Sequence, residues 1–257
     1  MSDAPDADKA IPTNLRLLLL LEEVARVGIP VTPTATNEVL GLPKPTVHRL
    51  FHRLEEEGFL QRDIDGRSYS AGQRLRKLSA NVLSSSRIRV ARLAVLNALT
   101  DDVGETCNIA TADREGMLYI DRVETKWPLR IQLPIGTTVP FHCTASGKMY
   151  LSSLSARHLT KFLSSASLVA HTDKTLTTPD ALMSEITIIR ERGYSTDNEE
   201  FMDGMVAVAV PIRDDLGRLM STISLHAPDQ RVSVADLENH LDRLRAAAHD
   251  LSEMMQR

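Results

Sequence analysis

A chain of 257 residues with 42% hydrophobic content has room for two ordinary domains and a sizeable core, which excludes general disorder. Its net charge of −4 taken alone argues against a nucleic-acid partner, but the charge is unevenly spread. Residues 12–92 hold 13 Lys/Arg against 8 Asp/Glu, a net of +5, while residues 93–257 carry −7; such asymmetry points to a basic nucleic-acid module joined to a second function.

Residues 1–11 are polar and acidic and read as a flexible tail. The run LRLLLLLEEVA is greasy, but it is too short and too soon interrupted by acids for a membrane span or a signal peptide. Two cysteines, Cys107 and Cys143, stand in no metal-ligand spacing. A reduced cytoplasmic protein without membrane or cofactor is therefore expected.

Residues 13–27 are predicted as a helix with Thr13 or Asn14 as cap, Leu17, Leu18, Leu21, Val24 and Ala25 as apolar stripe, and Gly28 as stop. A short helix follows from Thr34, its expected cap, to Leu40, and Gly41 breaks it. A third helix is expected from Pro45 to Glu57, ending at Gly58. FLQRDIDGRSYS then reads as two extended pieces around the Asp65-Gly66 turn. Three helices and a hairpin, with Gly41-Leu42-Pro43-Lys44 as the connecting turn, describe a winged helix-turn-helix over residues 12–71. Residues 72–92, with six cations and no acid, begin a helical stretch to about 99 and read as the linker helix.

From residue 93 to 257 the pattern is that of an α+β domain with a largely antiparallel sheet. Strands are expected at TCNIATA, GMLYIDRVE, LRIQL, GYSTDN, VAVAVPIRD and RLMSTISLHA. Helices are expected at 144–153, 155–164, 179–192 and 233–255.

The third helix carries the chemistry of the first domain. At helical spacing Val47, Leu50, Phe51 and Leu54 form one stripe, and Pro45, His48, Arg49, His52 and Arg53 lie opposite. Cations at the positive end of a helix dipole disfavour the helix and favour a bound phosphate, and Glu55, Glu56 and Glu57 at the negative end are locally unfavourable too. Both features fit a recognition helix whose N-terminus enters the DNA major groove and whose C-terminus points away. Lys44, Thr46, His48 and Arg49 are assigned to the groove, with Arg49 able to fork onto guanine or phosphate. His52 is added to the same face, and Arg53 is assigned to the DNA backbone. Arg62 and Arg67 flank the wing turn and suit phosphate or minor-groove contact. For Arg74, Arg76 and Lys77, an extended footprint and a solvated face are equally open. His48 and His52 at i, i+4 have no third metal ligand nearby in sequence.

GLPKPTVHRLFHRLEEEGFLQRD followed by GRSYSAGQRLRKLS resembles the DNA-binding half of the IclR family of bacterial transcription regulators. GETCNIATADREGMLYIDRVE, PFHCTASGK, RERGYSTDNEE and VAVAVPIRDDLGRLMSTISLHAP resemble its effector-binding half. The resemblance spans residues 12–255. It implies a winged helix-turn-helix, a connecting helix and a GAF-like α+β domain. It implies a ligand-responsive regulator of a catabolic operon, repressor or activator, that binds a double-stranded operator as a homodimer or a homotetramer built from two dimers. It also implies a small effector, an organic or aromatic acid. The implied pocket residues are Ala145 and Ser146 in the HCTASGK segment, Asp197 in GYSTDNEE, Met205, Ala207, Ser224 and His226 on the late strands, and Ile131 and Val139 as apolar walls.

Physical reasoning supports part of this set. Ser146 lies at a helix start suited to an anion, and Ser224 and His226 are two apart on a strand and share a face. Many relatives carry cysteine where this chain has Ala207, and some carry serine where it has His226. The larger, potentially cationic His226 should change which acid fits. Plainer readings stand beside these: Asp197 as a turn cap or partner of Arg192, His226 as a satisfied core histidine, Trp127 as packing. A thiol enzyme built on Cys107, Cys143 and His142 is disfavoured, because neighbours on a strand point opposite ways, and a redox or metal sensor lacks spacing support. No catalytic residue or metal ligand is therefore assigned.

Overall fold

A computed structural model describes residues 11–83, 86–113, 115–128 and 133–256. Among them the chain divides into two compact units that part between Ser85 and Ser86.

In the first unit, α1 (Arg16–Val27), α2 (Pro33–Leu40) and α3 (Lys44–Glu56) precede a hairpin of β1 (Leu60–Arg62) and β2 (Tyr69–Ala71), and α4 (Gln73–Leu83) follows. Leu20, Val24, Val47, Phe51, Leu54, Leu60 and Tyr69 bury one core, with the Phe51 and Tyr69 rings edge to face at 5.0 Å. Two helix starts differ from expectation. Thr13 and Asn14 do not cap α1; Leu15 stands at the N-cap without a side-chain bond, because the chain enters through a turn closed by Leu15 N–H on the Pro12 carbonyl at 2.9 Å. The cap of α2 is Thr32, whose hydroxyl accepts from Ala35 N–H at 3.2 Å, and not Thr34. Pro33 occupies the first helical position, where its missing N–H is harmless, and that places the cap one residue before it. The turn into α3 is stapled by Asn37, whose amide donates to the Leu42 carbonyl at 2.8 Å and accepts from its N–H at 2.9 Å.

In the second unit, α5 (Ser86–Val103) leads into β3 (Thr106–Ala112), β4 (Met117–Val123) and β5 (Thr138–Val139). Then come α6 (Ala145–Ser153), α7 (Ala156–Ser165), α8 (Pro179–Arg192), β6 (Ser195–Asn198), β7 (Met205–Arg213), β8 (Leu219–Pro228), α9 (Val234–Glu238) and α10 (Leu241–Gln256). The six strands form one antiparallel sheet in the order β5-β4-β3-β8-β7-β6. One face, bearing Cys107, Ile109, Val206, Val208, Ile223 and Leu225, packs on α5 and α10. The other, bearing Ala110, Met117, Tyr119, Ala207 and Ala209, packs on α6 and α8. This is the expected α+β class. The strand expected at LRIQL lies mostly outside the described residues.

The expected linker helix ends differently. Residues 86–92 belong to the second unit, because α5 is anchored there by a buried charge. Arg92 is 1% exposed and its Nε donates to Asp121 Oδ2 at 2.5 Å, while Arg89 Nε meets Oδ1 at 3.2 Å. The single helix expected at 233–255 is two, since Asn239 N–H, shared between the Ala235 and Asp236 carbonyls, closes α9 in a tightened last turn.

Candidate functional site

The exposed side of α3 is a continuous strip of Lys44, Pro45, His48, Arg49, His52 and Arg53, with Thr46 half-buried at its edge. Val47, Phe51 and Leu54 on the opposite side are buried, so the helix presents this strip in one orientation. Its first turn contains no acid. The three glutamates at its far end have local work. Glu55 takes a forked bond from Arg62, Nε at 3.0 Å and Nη2 at 2.8 Å, which holds its carboxyl below the usual range. Glu56 lies 3.5 Å from both His52 and Arg53, and Glu57 pairs with Arg74 at 3.0 Å.

The wing turn is locked by Asp65, whose Oδ1 accepts from the N–H groups of Arg67 and Ser68 at 2.8 Å each. Arg67 is exposed beside this turn. Arg62, expected to reach DNA, is fastened to Glu55 and to the Gly66 carbonyl at 3.1 Å, so it ties the wing to α3. Arg74 is likewise held, by Glu57 and over the Phe59 ring at 4.6 Å.

On the second unit, strand register brings the expected effector residues together. Asp197 pairs with Ala207, Ala207 with His226 and His226 with Thr106, one row across four strands. The next row runs Ser195, Ala209, Ser224, Asn108, Arg122. Met205 lies one step along β7 on the same face, and Val139 on β5 is buried in the same core. Ile131 lies outside the described residues. Over this face sits the first turn of α6, with Ala145 and Ser146 buried. Thr144 caps it, its hydroxyl accepting from Gly147 N–H at 3.1 Å and donating to the Pro140 carbonyl at 2.7 Å. Gly147 is required, because a Cβ there would stand 2.3 Å from the Phe141 carbonyl oxygen.

The polar atoms on this face are unevenly satisfied. Asp197 Oδ1 accepts from Glu200 N–H at 2.8 Å and Phe201 N–H at 3.3 Å, so the carboxylate does cap a turn. Arg192 pairs instead with Glu185 at 3.0 Å. His226 Nε2 lies 3.0 Å from Ser224 Oγ and its ring meets Tyr119 edge to face. Asp197 Oδ2, His226 Nδ1, Asn108 Nδ2 and Ser146 Oγ are buried and have no hydrogen-bond partner among the described residues. Burial, reinforced by Glu200, pushes the Asp197 carboxyl up to about 7 against the pull of Lys148. Burial, with nearby Arg122, pushes His226 down to about 3, so the imidazole is neutral at pH 7 and not the cation its side chain allowed.

Folds and spacings of this kind are shared with known proteins. The family described as bacterial transcriptional regulator IclR C-terminal matches residues 80–253, and the IclR helix-turn-helix domain matches residues 15–63. The chain belongs to the IclR family of bacterial transcriptional regulators. It is 36% identical to the probable transcriptional regulator SauR of Cupriavidus necator over 237 residues, covering 92% of this chain and 94% of SauR. It is 31% identical to the acetate operon repressor of Salmonella typhimurium, covering 85% and 80%. Among solved structures, Thermotoga maritima IclR matches with a TM-score of 0.63 at 27% identity, over 95% of this chain and 99% of that one. The Agrobacterium tumefaciens repressor BlcR matches with a TM-score of 0.60 at 25% identity, over 97% and 100%. As an IclR-family member this chain is a ligand-responsive, DNA-binding transcriptional regulator.

Several residues on this sheet face and on the helix over it escaped the sequence reading. Tyr119 and Arg122 are three apart, a spacing that strand alternation places on opposite faces. A bulge at Ile120 reverses this, since Ile109 pairs with Asp121 and Ala110 with Tyr119. Arg122 Nη1 then donates to Asn108 Oδ1 at 2.8 Å. Lys148, 1% exposed, pairs with Glu200 and lies 4.0 Å from Glu185. The K of SGK and the second E of DNEE were the available signals, but their pairing spans 52 residues.

Proposed function

We propose that Lys44, Thr46, His48, Arg49 and His52 face base edges and nearby phosphates of an operator major groove, with Arg53 and Arg67 on the DNA backbone. The exposed cationic strip of α3, opposite an anchored apolar stripe, supports this reading. Arg62 positions the wing. One recognition helix reads one half-site, so the chain acts as a homodimer or a dimer of dimers on a two-fold operator in the cytoplasm.

The effector site comprises Ala145, Ser146, Asp197, Met205, Ala207, Ser224 and His226, with Asn108, Tyr119 and Arg122 added and Val139 as a wall. The observation that carries it is three buried polar atoms on one sheet face, and a fourth, Ser146 Oγ, in the first turn of the helix over it, all without a hydrogen-bond partner among the described residues. Such atoms are costly unless a ligand meets them. Ser146 Oγ, Asn108 Nδ2 and the α6 N–H groups suit a small carboxylate, and Asp197 suits a hydroxyl on the same ligand. The effector is therefore a small organic acid, and its binding shifts operator affinity for a catabolic operon. Burial pushes the Cys107 and Cys143 thiols up to about 12, which argues against a thiol enzyme.

The test is binding of the purified chain to genomic promoter fragments and to random duplex, with and without a panel of organic acids. A preferred fragment, released or tightened by one acid, is expected. Equal binding to all duplexes under every condition would end the proposal.

A further inference from the structure

The two residues before Thr144 are unused by the reading above. His142 and Cys143 precede α6, in a segment of consecutive bends, 141–144, and not in a strand. The rule that chain neighbours point apart therefore does not hold here. His171 comes from the segment between α7 and α8. One ligand atom each from His142, Cys143 and His171 lie within 4.8 Å of one another. We propose that these three side chains form a binding site for a thiophilic divalent transition ion of the zinc type, at the entry of α6 beside the effector site.

Three features support a built site. His142 Nε2 lies 2.9 Å from the Val169 carbonyl, which can only accept, so Nε2 holds the proton and the lone pair of the neutral ring stands on Nδ1. Metal-bound histidines are oriented by this kind of bond to a carbonyl. The backbone of His171 is fixed: its N–H donates to Thr175 Oγ1 at 3.0 Å, and Thr175 Oγ1 donates to the Glu200 carbonyl at 2.6 Å. The His171 side chain is exposed, while its ring lies 5.5 Å from Phe201 and 6.0 Å from His142. It can swing inward and leave a fourth position to water.

The donor set has the right chemistry. Two imidazoles and one thiolate with a free fourth position suit zinc, whose bonds of about 2.0–2.3 Å bring tetrahedral ligand atoms to roughly 3.3–3.8 Å of each other. A closure on the order of 1 Å from the present cluster reaches that geometry. On binding, the Cys143 thiol gives up its proton to solvent and the sulfur takes the metal in its place. The ion would tie the segment carrying His171 to the entry of α6.

The test uses the untagged full chain, stripped with a chelator and titrated with cobalt(II). One equivalent per chain is expected, with a sulfur-to-cobalt charge-transfer band, tetrahedral visible absorption and displacement of both by zinc. His171→Ala, at an exposed side chain, should weaken binding at least about tenfold, as loss of even an outer partner does in such sites. Cys143→Ser should remove the charge-transfer band; if that buried change fails to fold, His171→Ala decides alone. A His48→Ala, His52→Ala double variant should bind cobalt as the parent does. No stoichiometric binding, a spectrum without thiolate, unchanged affinity in His171→Ala, or loss of binding in the α3 double variant would each overturn the site.

Discussion

Asp197 and His226 stand on one row of the sheet with only Ala207 between them. Two strand spacings set their backbones about 10 Å apart, with only the buried methyl of Ala207 on the row between them. Ala207→Val should therefore blunt the effector response while sparing operator binding, at a stability cost of about 1–3 kcal/mol from overpacking. Ser224→Ala, which deprives His226 Nε2 of its partner, should do the same. Effector titrations read by operator binding check both; a normal response in both variants would move the pocket elsewhere.

The pH dependence of stability separates the same two residues. The folded value of Asp197 is raised from 3.8 to about 7, so the folded chain keeps a proton that the unfolded chain has released. Its contribution is full below about pH 4 and is lost as pH rises through about 7. His226 has the opposite sign: with its folded value lowered from 6.5 to about 3, its contribution is full above about pH 6.5 and is lost as pH falls toward about 3. Asp197→Asn removes only the first slope. Relative to the parent it should gain stability on the order of 1–4 kcal/mol between about pH 5 and about pH 8. Denaturant midpoints at the two pH values check this, and an equal difference at both contradicts it.

On α3, Arg49→Ala should weaken operator binding by roughly 1–3 kcal/mol and leave the melting temperature unchanged. The affinity of the parent should fall steeply with salt, because its cations displace counterions from phosphates. Arg62→Ala should differ in kind, since its guanidinium is held by Glu55: it should lower the stability of the first unit as well as DNA affinity. Mobility shifts and thermal melts on both variants distinguish the roles.

At the entry of α6, Gly147→Ala places a methyl 2.3 Å from the Phe141 carbonyl oxygen and 2.5 Å from its Cα. Both are backbone atoms, so the helix start must move. We expect a loss of about 1–3 kcal/mol together with weakened effector binding. A melt and an effector titration on one preparation test both effects.

Behind the sheet, Arg92→Met leaves buried Asp121 with Arg89, 46% exposed at its side chain, as its one ion-pair partner among the described residues. Removing one member of such a pair costs about 3–5 kcal/mol. Arg89→Ala should cost far less. Chemical denaturation of the two variants checks the order.

The sequence by itself determined which residues could be elements and which faces they bury. Val47, Phe51 and Leu54 recur at helical spacing, so the cationic strip of α3 was readable as its other side. Ser224 and His226 alternate on a strand, so their shared face was readable too. These are properties of neighbours in the chain, set by periods of 3.6 and 2. Tertiary structure decided what depends on partners far along the chain or on broken regularity. It paired Arg62, a DNA candidate, with Glu55 of α3, and made Arg92, a linker cation, the partner of Asp121. A single extra residue at Ile120 brought Tyr119 and Arg122 to one face, and a run of bends let the neighbours His142 and Cys143 meet His171. Burial, which only the packed fold supplies, made His226 neutral and raised Asp197, because removing water penalises charge whatever the residue type.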